Sequence, residues 1–177
     1  MEVLQQSISH TPIWVYVLFV YLISRGLKAL RPGEVPLGKL AMIPGIFMMV
    51  GIGTLATRFG LTASVYIIWL AAIAAGAGAG WMLLSRKDIL VDRSRGVIFR
   101  PADYTVLPLI LASFAIKYAF GAVGFLDPEL VHQASFGMIQ GAMYGFFSGI
   151  FVGKFANYTM RYLHEPLVDL SAVRRGA

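Results

Sequence analysis

Lys117 is the ionisable side chain that lies deepest inside an apolar run of this sequence. With a helical rise of about 1.5 Å per residue, it falls about 10 Å from the C-terminal end of that run. Gln140, in a later run, falls at a similar depth. An ammonium beside an amide forms a candidate polar site that could contact an ion or a substrate inside a membrane. Three hydroxyl residues would extend this site: Ser113, Tyr144 and Ser148.

The alternative for Lys117 is a purely structural position. Its long stem can carry the ammonium out to the nearer membrane interface, where Asp127 and Glu129 supply negative charge. In this alternative the side chain anchors a helix and lines no pathway.

Other residue types that commonly do chemistry are scarce. The chain has no cysteine, which excludes disulfides, thiolate chemistry and cysteine-based metal sites. His10 precedes the first apolar run, His132 lies at the edge of the last one, and His164 lacks the second histidine of a zinc-protease motif. An enzyme needs a nucleophile, a paired acid and base or a metal cluster, and the apolar runs carry none. We therefore expect a protein that is not an enzyme and that takes no cofactor or metal.

Regularly spaced glycines mark the last apolar run at intervals of four residues: Gly137, Gly141, Gly145, Gly149 and Gly153. Each step of four residues drifts about 40° around a helix, so these glycines form a slanted groove that admits another helix backbone. The third run repeats the spacing at Ala72, Gly76 and Gly80. We expect the two helices to pack together within one molecule. The alternative is a contact between subunits.

Five long apolar runs would position these residues. The chain is 58% hydrophobic, whereas soluble domains are about 45–50% apolar, and each run approaches the roughly 20 residues that span a bilayer. The sequence predicts a single integral membrane domain over 1–177, an all-α bundle of five transmembrane helices. The second is interrupted by Pro44 and by glycines, so a re-entrant or tilted segment is the alternative there. The expected spans are 12–30, 39–57, 62–84, 104–124 and 131–155.

The distribution of basic residues orients the bundle. The net charge of +6 comes from 15 Lys and Arg, of which thirteen fall in the first loop, the third loop and the C-terminal tail, while Arg58 alone falls on the other side. Lys and Arg are retained in cytoplasmic loops. We therefore predict an outside N-terminus and a cytoplasmic C-terminus. The basic residues favour membrane lipids as partners, with no role in binding nucleic acid.

The third loop, 86–101, is the longest polar segment between apolar runs. Two short β-type runs, 89–91 and 97–99, flank a turn-forming stretch that ends at Gly96. This pattern predicts a small cytoplasmic β-hairpin whose arginines could contact lipid headgroups. The alternative is a polar connector with no further role.

Three stretches carry a family resemblance: HTPIW (His10 to Trp14), KYAFG (Lys117 to Gly121) and GAMYGFFSGIFVG (Gly141 to Gly153). They resemble small bacterial membrane proteins that carry a domain of unknown function. This resemblance implies a bacterial inner-membrane protein without an assigned activity. VDRSRGVIFRP (Val91 to Pro101) is similar, more weakly, to the hairpin-then-helix part of CcdC-like proteins, linked by name to cytochrome c biogenesis. The chain lacks cysteine and any haem-attachment motif, so no haem or redox role is carried over.

Two functions are compatible with these observations. The first is a non-enzymatic accessory, scaffold or assembly subunit that acts through helix packing, as a homo-oligomer or with a membrane-protein partner. The second is a small transporter or channel that uses the polar site around Lys117 and Gln140. Five spans without an internal duplication do not form an even inverted repeat, which favours the first.

Overall fold

A computed structural model describes residues 13–60, 62–87, 89–93 and 95–164. His10, Arg174 and Arg175, which the sequence predictions use, lie outside the described residues. The described part is mostly helical, with one small sheet. Its elements are α1 (Ile13–Ala29), β1 (Gly33–Pro36), α2 (Leu37–Leu40), α3 (Met42–Phe59), α4 (Ala63–Ser85), β2 (Leu90–Asp92), β3 (Val97–Arg100), α5 (Val106–Leu126), α6 (Pro128–Val131) and α7 (Ala134–His164).

Four segments are long and apolar enough to cross a membrane: Leu37–Thr57, Ala63–Ser85, Val106–Leu126 and Ala134–His164. Helix α1 is also apolar but has 17 residues, about 26 Å at the usual rise per residue. The described helices are therefore those of a membrane protein, as the composition predicts.

Local sequence explains where the helices begin and end. Pro44 lies in the first turn of α3, where its missing N–H leaves no helical hydrogen bond unmade. Gly60 follows α3 with a φ of +57°, a conformation that glycine adopts without strain. The Asp127 carboxylate accepts a hydrogen bond of 3.1 Å from the backbone N–H of Leu130 and caps the short helix α6.

Helices α4 and α7 form the most extensively packed pair. Their backbones approach so closely that a Cβ atom added at Gly153 would lie 2.7 Å from the Cα of Ala77. Added at Gly80, it would lie 2.9 Å from the Cα of Ile150. Glycine is required at these positions because any larger residue would overlap the neighbouring main chain.

The remaining long helices surround this pair. Helix α3 packs against α7, and α1 packs against α5. The cluster between them contains Leu22, Ile110 and Phe151, all buried. The rings of Phe47 and Phe151 stack with their centroids 4.7 Å apart.

A three-stranded antiparallel sheet in the order β1-β3-β2 lies at one end of the bundle. The β2–β3 hairpin is the one that the sequence predicts, with Gly96 at a φ of +66° in the turn. Strand β1 comes from the first loop, so it brings the first and third loops to the same end. Ile98 of the sheet packs with Leu84 of α4 and Tyr158 of α7. We call this end of the molecule the sheet end.

Two features differ from the predicted spans. The second segment contains a bend at Ala41, between α2 and α3. Helix α7 continues to His164, past the predicted end at residue 155, because its polar continuation is held by the sheet end. Asn157 and Tyr158 are buried there. Mean hydropathy falls after residue 155. Hydropathy predicts which residues lie in the membrane core, but it does not predict where a helix ends.

Candidate functional site

Asp103, in the connection between β3 and α5, is the centre of a buried polar cluster. Its carboxylate lies 2.8 Å from the ammonium nitrogen of Lys154 on α7, and both side chains are almost fully buried. The Thr105 hydroxyl donates to the same carboxylate at 2.7 Å, and Lys154 also donates to that hydroxyl. Lys87 lies 3.5 Å from the carboxylate. These contacts join the third loop to α7.

The pKa of Asp103 reflects two opposing effects. Burial by itself raises the pKa of the carboxyl, but the charge of Lys154, the hydrogen bonds from Lys154 and Thr105, and the charge of Lys87 together outweigh burial. The resulting pKa is about 2, below the ordinary 3.8. Asp103 is therefore ionised at neutral pH.

Two arginines satisfy the carbonyl groups at helix C-termini. Arg100 donates to the Ala29 carbonyl at 3.2 Å and to the Lys28 carbonyl at 3.0 Å, at the end of α1. Arg161 donates to the Ser85 carbonyl at 2.8 Å, at the end of α4. Cations at these ends offset the negative pole of the helix dipole and pair carbonyls that the helix itself cannot pair.

A cavity of about 380 Å³ lies beside Asp103 at the sheet end. We call it the basic cavity. Its volume falls at the lower end of the range of roughly 300–1,000 Å³ typical of small-molecule sites. Acidic side chains that line it are Glu34 and Asp103. Basic side chains that line it are Arg25, Lys28, Arg31, Lys39, Arg100 and Lys154.

The acidic residues of the basic cavity are already paired. Asp103 pairs with Lys154, and Glu34 pairs with Arg95 at 3.1 Å. Across the part of the chain that the structure describes, the other five basic residues of the lining have no carboxylate within salt-bridge distance. Arg25 donates to the backbone carbonyl of Lys39 at 3.0 Å, which leaves its charge uncompensated. The basic cavity therefore carries a net positive potential.

The lining of the basic cavity contains both exposed and buried side chains. Lys28, Arg31 and Lys39 are exposed, whereas Phe151 is buried and Ile43 is half-buried. The cavity thus combines exposed charged groups with a buried part of the lining that contains apolar side chains as well as Arg100 and the Asp103–Lys154 pair. Such a surface suits an anion attached to an apolar group.

The sequence-predicted polar site lies elsewhere, within the helical bundle. Lys117 lines two small cavities of about 40 and 50 Å³. Ser113 lines both, and Tyr144 and Ser148 line the larger one. Gln140 is buried and donates to the Tyr144 hydroxyl at 3.1 Å, but it lines neither cavity. Tyr144 thus bonds to Gln140 and shares a cavity with Lys117, and a role for this site stays a prediction.

The predicted glycines lie between α4 and α7. Those for which an added Cβ atom would meet the facing helix are Gly76, Gly80, Gly141, Gly145, Gly149 and Gly153. Gly137 is buried in the first turn of α7. His132 is exposed, and His164 contacts the Met160 carbonyl at 3.0 Å. Among the described residues, no group of three or more His, Asp or Glu side chains is arranged to hold a metal ion.

Sequence reasoning missed the Asp103 cluster and the basic cavity. It counted the surrounding lysines and arginines as indicators of topology and of general attraction to lipids, and it placed no specific site among them. The available signal was Asp103 itself, an acidic residue that stands directly before an apolar run and after an arginine-rich loop. Its partner Lys154 is 51 residues away, and no local spacing connects the two.

A family model described as "Family of unknown function (DUF6622)" matches residues 2–165. The matched range contains all three stretches on which the family resemblance rests, and the expected membership of a family without an assigned activity is confirmed. Comparison with curated proteins and with solved structures gives no match.

Proposed function

The chain belongs to this family of unknown function, and we propose that it is a multi-pass protein of the bacterial inner membrane that works as an accessory or assembly subunit through helix packing. In this proposal α1, α3, α4, α5 and α7 all cross the membrane. The protein is not an enzyme. Its partner is a second copy of the chain or another membrane protein.

The outer face of α4 is the observation that carries this proposal. One face of α4 is covered by α7, but residues on the opposite face are exposed, among them Ala71, Ala75 and Gly78. Small residues let helices approach closely, and lipid gives no comparable gain at such a surface. A helix of a partner could pack closely against this exposed face of α4, in the way that α7 packs against the opposite face.

Photocrosslinking in native membranes tests the partner. A benzophenone amino acid at Ala75 is expected to give a discrete protein product, with the mass of two chains for a homo-oligomer or of one chain plus a partner. The matched control is the same substitution at Val20, which is 65% exposed on α1 and is expected to give none. Equal yields from both positions, or no product from Ala75, would contradict the proposed role of α4.

The arrangement of loops supports the proposed orientation. The basic first and third loops meet in one sheet, and α7 brings Lys154 and Arg161 to the same end. Cytoplasmic retention of Lys and Arg would place the sheet end inside the cell. A fluorescent protein fused after Ala177 is then expected to fluoresce, and alkaline phosphatase fused there to be inactive. The reverse result would overturn this orientation.

A transporter or channel is the second candidate. The cavities beside Lys117 favour it, because a cation with hydroxyl neighbours in a bundle can contact an ion. Their volumes of about 40 and 50 Å³ hold little more than one or two waters. A pathway through them would need a wider state of the bundle, so we favour the accessory role.

A further inference from the structure

We propose that the basic cavity binds the phosphate of an anionic phospholipid headgroup. The inference concerns a ligand rather than a protein partner, and it does not depend on the exposed face of α4. It rests on the uncompensated charge of the lining, the position of the cavity along the bundle, and the apolar walls behind the charged groups.

The charge of the lining selects an anion. Beyond its two acid–base pairs, the basic cavity has five basic residues without a carboxylate partner among the described residues. Arg100 is the buried member of this set, 7% exposed, and its Nε has no hydrogen-bond partner. A buried donor without a partner costs free energy. A phosphate oxygen would supply the missing acceptor, and guanidinium groups match phosphate geometry well.

The depth of the basic cavity matches the headgroup level of a bilayer. Lys154, in its lining, follows Ala134 at the start of α7 by 20 residues. This separation corresponds to about 30 Å of helix, the thickness of a bilayer hydrocarbon core. With the start of α7 at one boundary of the hydrocarbon core, the exposed lysines and arginines around the cavity would lie near the lipid phosphates of the opposite leaflet.

The apolar walls favour a lipid over a free anion. Ile43 of α3, Val106 of α5 and Phe151 of α7 are apolar side chains in the lining of the basic cavity, and none of them is exposed. Further into the bundle, Leu22 of α1 and Phe47 of α3 line one of the small cavities between these helices. A lipid would place its phosphate against the basic groups and the start of an acyl chain against this apolar wall.

Lipid binding to the purified full-length chain tests the proposal. The probes are phosphatidylglycerol, zwitterionic phosphatidylcholine and inorganic phosphate, with adducts measured by native mass spectrometry from detergent. We expect a saturable one-to-one adduct with phosphatidylglycerol and weaker binding of the other two. The Lys28→Ala/Arg31→Ala double variant is expected to bind phosphatidylglycerol about twenty-five-fold more weakly, since each basic group near lipid phosphates contributes about a factor of five.

The control is Arg86→Glu. Arg86 is exposed at the end of α4 and does not line the basic cavity, and its replacement changes the net charge by the same two units as the double variant. We expect less than about a threefold change for this control, because screened surface charge acts weakly over distance. An equal loss of phosphatidylglycerol affinity in both variants would overturn the proposed cavity site and indicate general attraction of basic residues to lipid.

A folding control, a third cavity variant and inorganic phosphate complete the test. Lys28 and Arg31 are exposed, and their side chains make no hydrogen bond or ion pair with the described residues, so the double variant is expected to melt like the wild type. Lys39→Ala, another exposed lining position, is expected to weaken phosphatidylglycerol binding about fivefold. Inorganic phosphate that binds as tightly as phosphatidylglycerol would overturn the lipid assignment and retain a phosphate site. Unchanged binding in both cavity variants would overturn the proposal.

Discussion

Gly80→Ala is expected to lower the melting temperature of the detergent-solubilised protein by roughly 6–12 °C, the equivalent of about 3 kcal/mol in a chain of this size. The added methyl group would overlap the carbonyl oxygen of Ile150 and lie 2.9 Å from its Cα. Both atoms belong to the α7 main chain, which cannot move aside as a side chain does. Helices α4 and α7 would have to separate, and their other close contacts would be lost with the first.

The control for this prediction lies on the same helix. Gly78 has no atom within 4 Å of an added Cβ, and alanine favours a helix over glycine by about 1 kcal/mol. Gly78→Ala is therefore expected to leave the melting temperature unchanged or slightly higher. Equal losses for the two variants would contradict close packing as the reason for Gly80.

Asp103→Ala is expected to destabilise the protein by about 3–5 kcal/mol, because it leaves the Lys154 ammonium buried without its partner. The side chain of Lys154 is only 5% exposed, so water cannot easily replace the carboxylate. The measurement is the free energy of unfolding in a mixed-detergent titration. Asp103→Leu combined with Lys154→Met removes both charges, and we expect this double variant to recover more than half of the loss.

The pH dependence of stability gives an independent readout of the same pair. The pKa of Asp103 is about 2 in the folded protein against an ordinary value of 3.8. A lowered carboxyl pKa stabilises the fold fully above the ordinary value, and the stabilisation is lost as pH falls through the folded value. The advantage in melting temperature of the wild type over Asp103→Ala should therefore shrink between pH 3.8 and about pH 2. A constant advantage across this range would contradict the charged pair.

The long helices and the close helix packing were predictable where a sequence pattern repeats along one helix. Apolar runs of membrane length predict the helices α3, α4, α5 and α7, and the four-residue spacing of glycines predicts a close approach on α7. Both signals are periodic, and a helix converts a period in sequence into a face in space. The hairpin was predictable from a local signal, because its two short β-type runs flank a glycine turn at Gly96.

Strand β1 and the Asp103 cluster were not predictable in this way. The sequence of β1, GEVP, contains glycine and proline, which are depleted in strands, and it becomes a strand only because β3 pairs with it. Asp103 acquires its role from Lys154, 51 residues later, and from contacts with Lys87 and Thr105. No local sequence pattern predicts a contact between residues so far apart in the chain. The basic residues of the loop were interpreted as indicators of membrane topology.

The capping of α1 by Arg100 has a consequence for the order of biosynthesis. Arg100 follows Lys28, whose carbonyl it binds, by 72 residues. At a translation rate of about 5–20 residues per second, the ribosome needs roughly 4–14 s to supply that arginine. During this interval the Lys28 carbonyl of α1 lacks its Arg100 partner. Two long helices, α3 and α4, precede Arg100 in the chain, so α1 receives its cap only after the middle of the chain has been made.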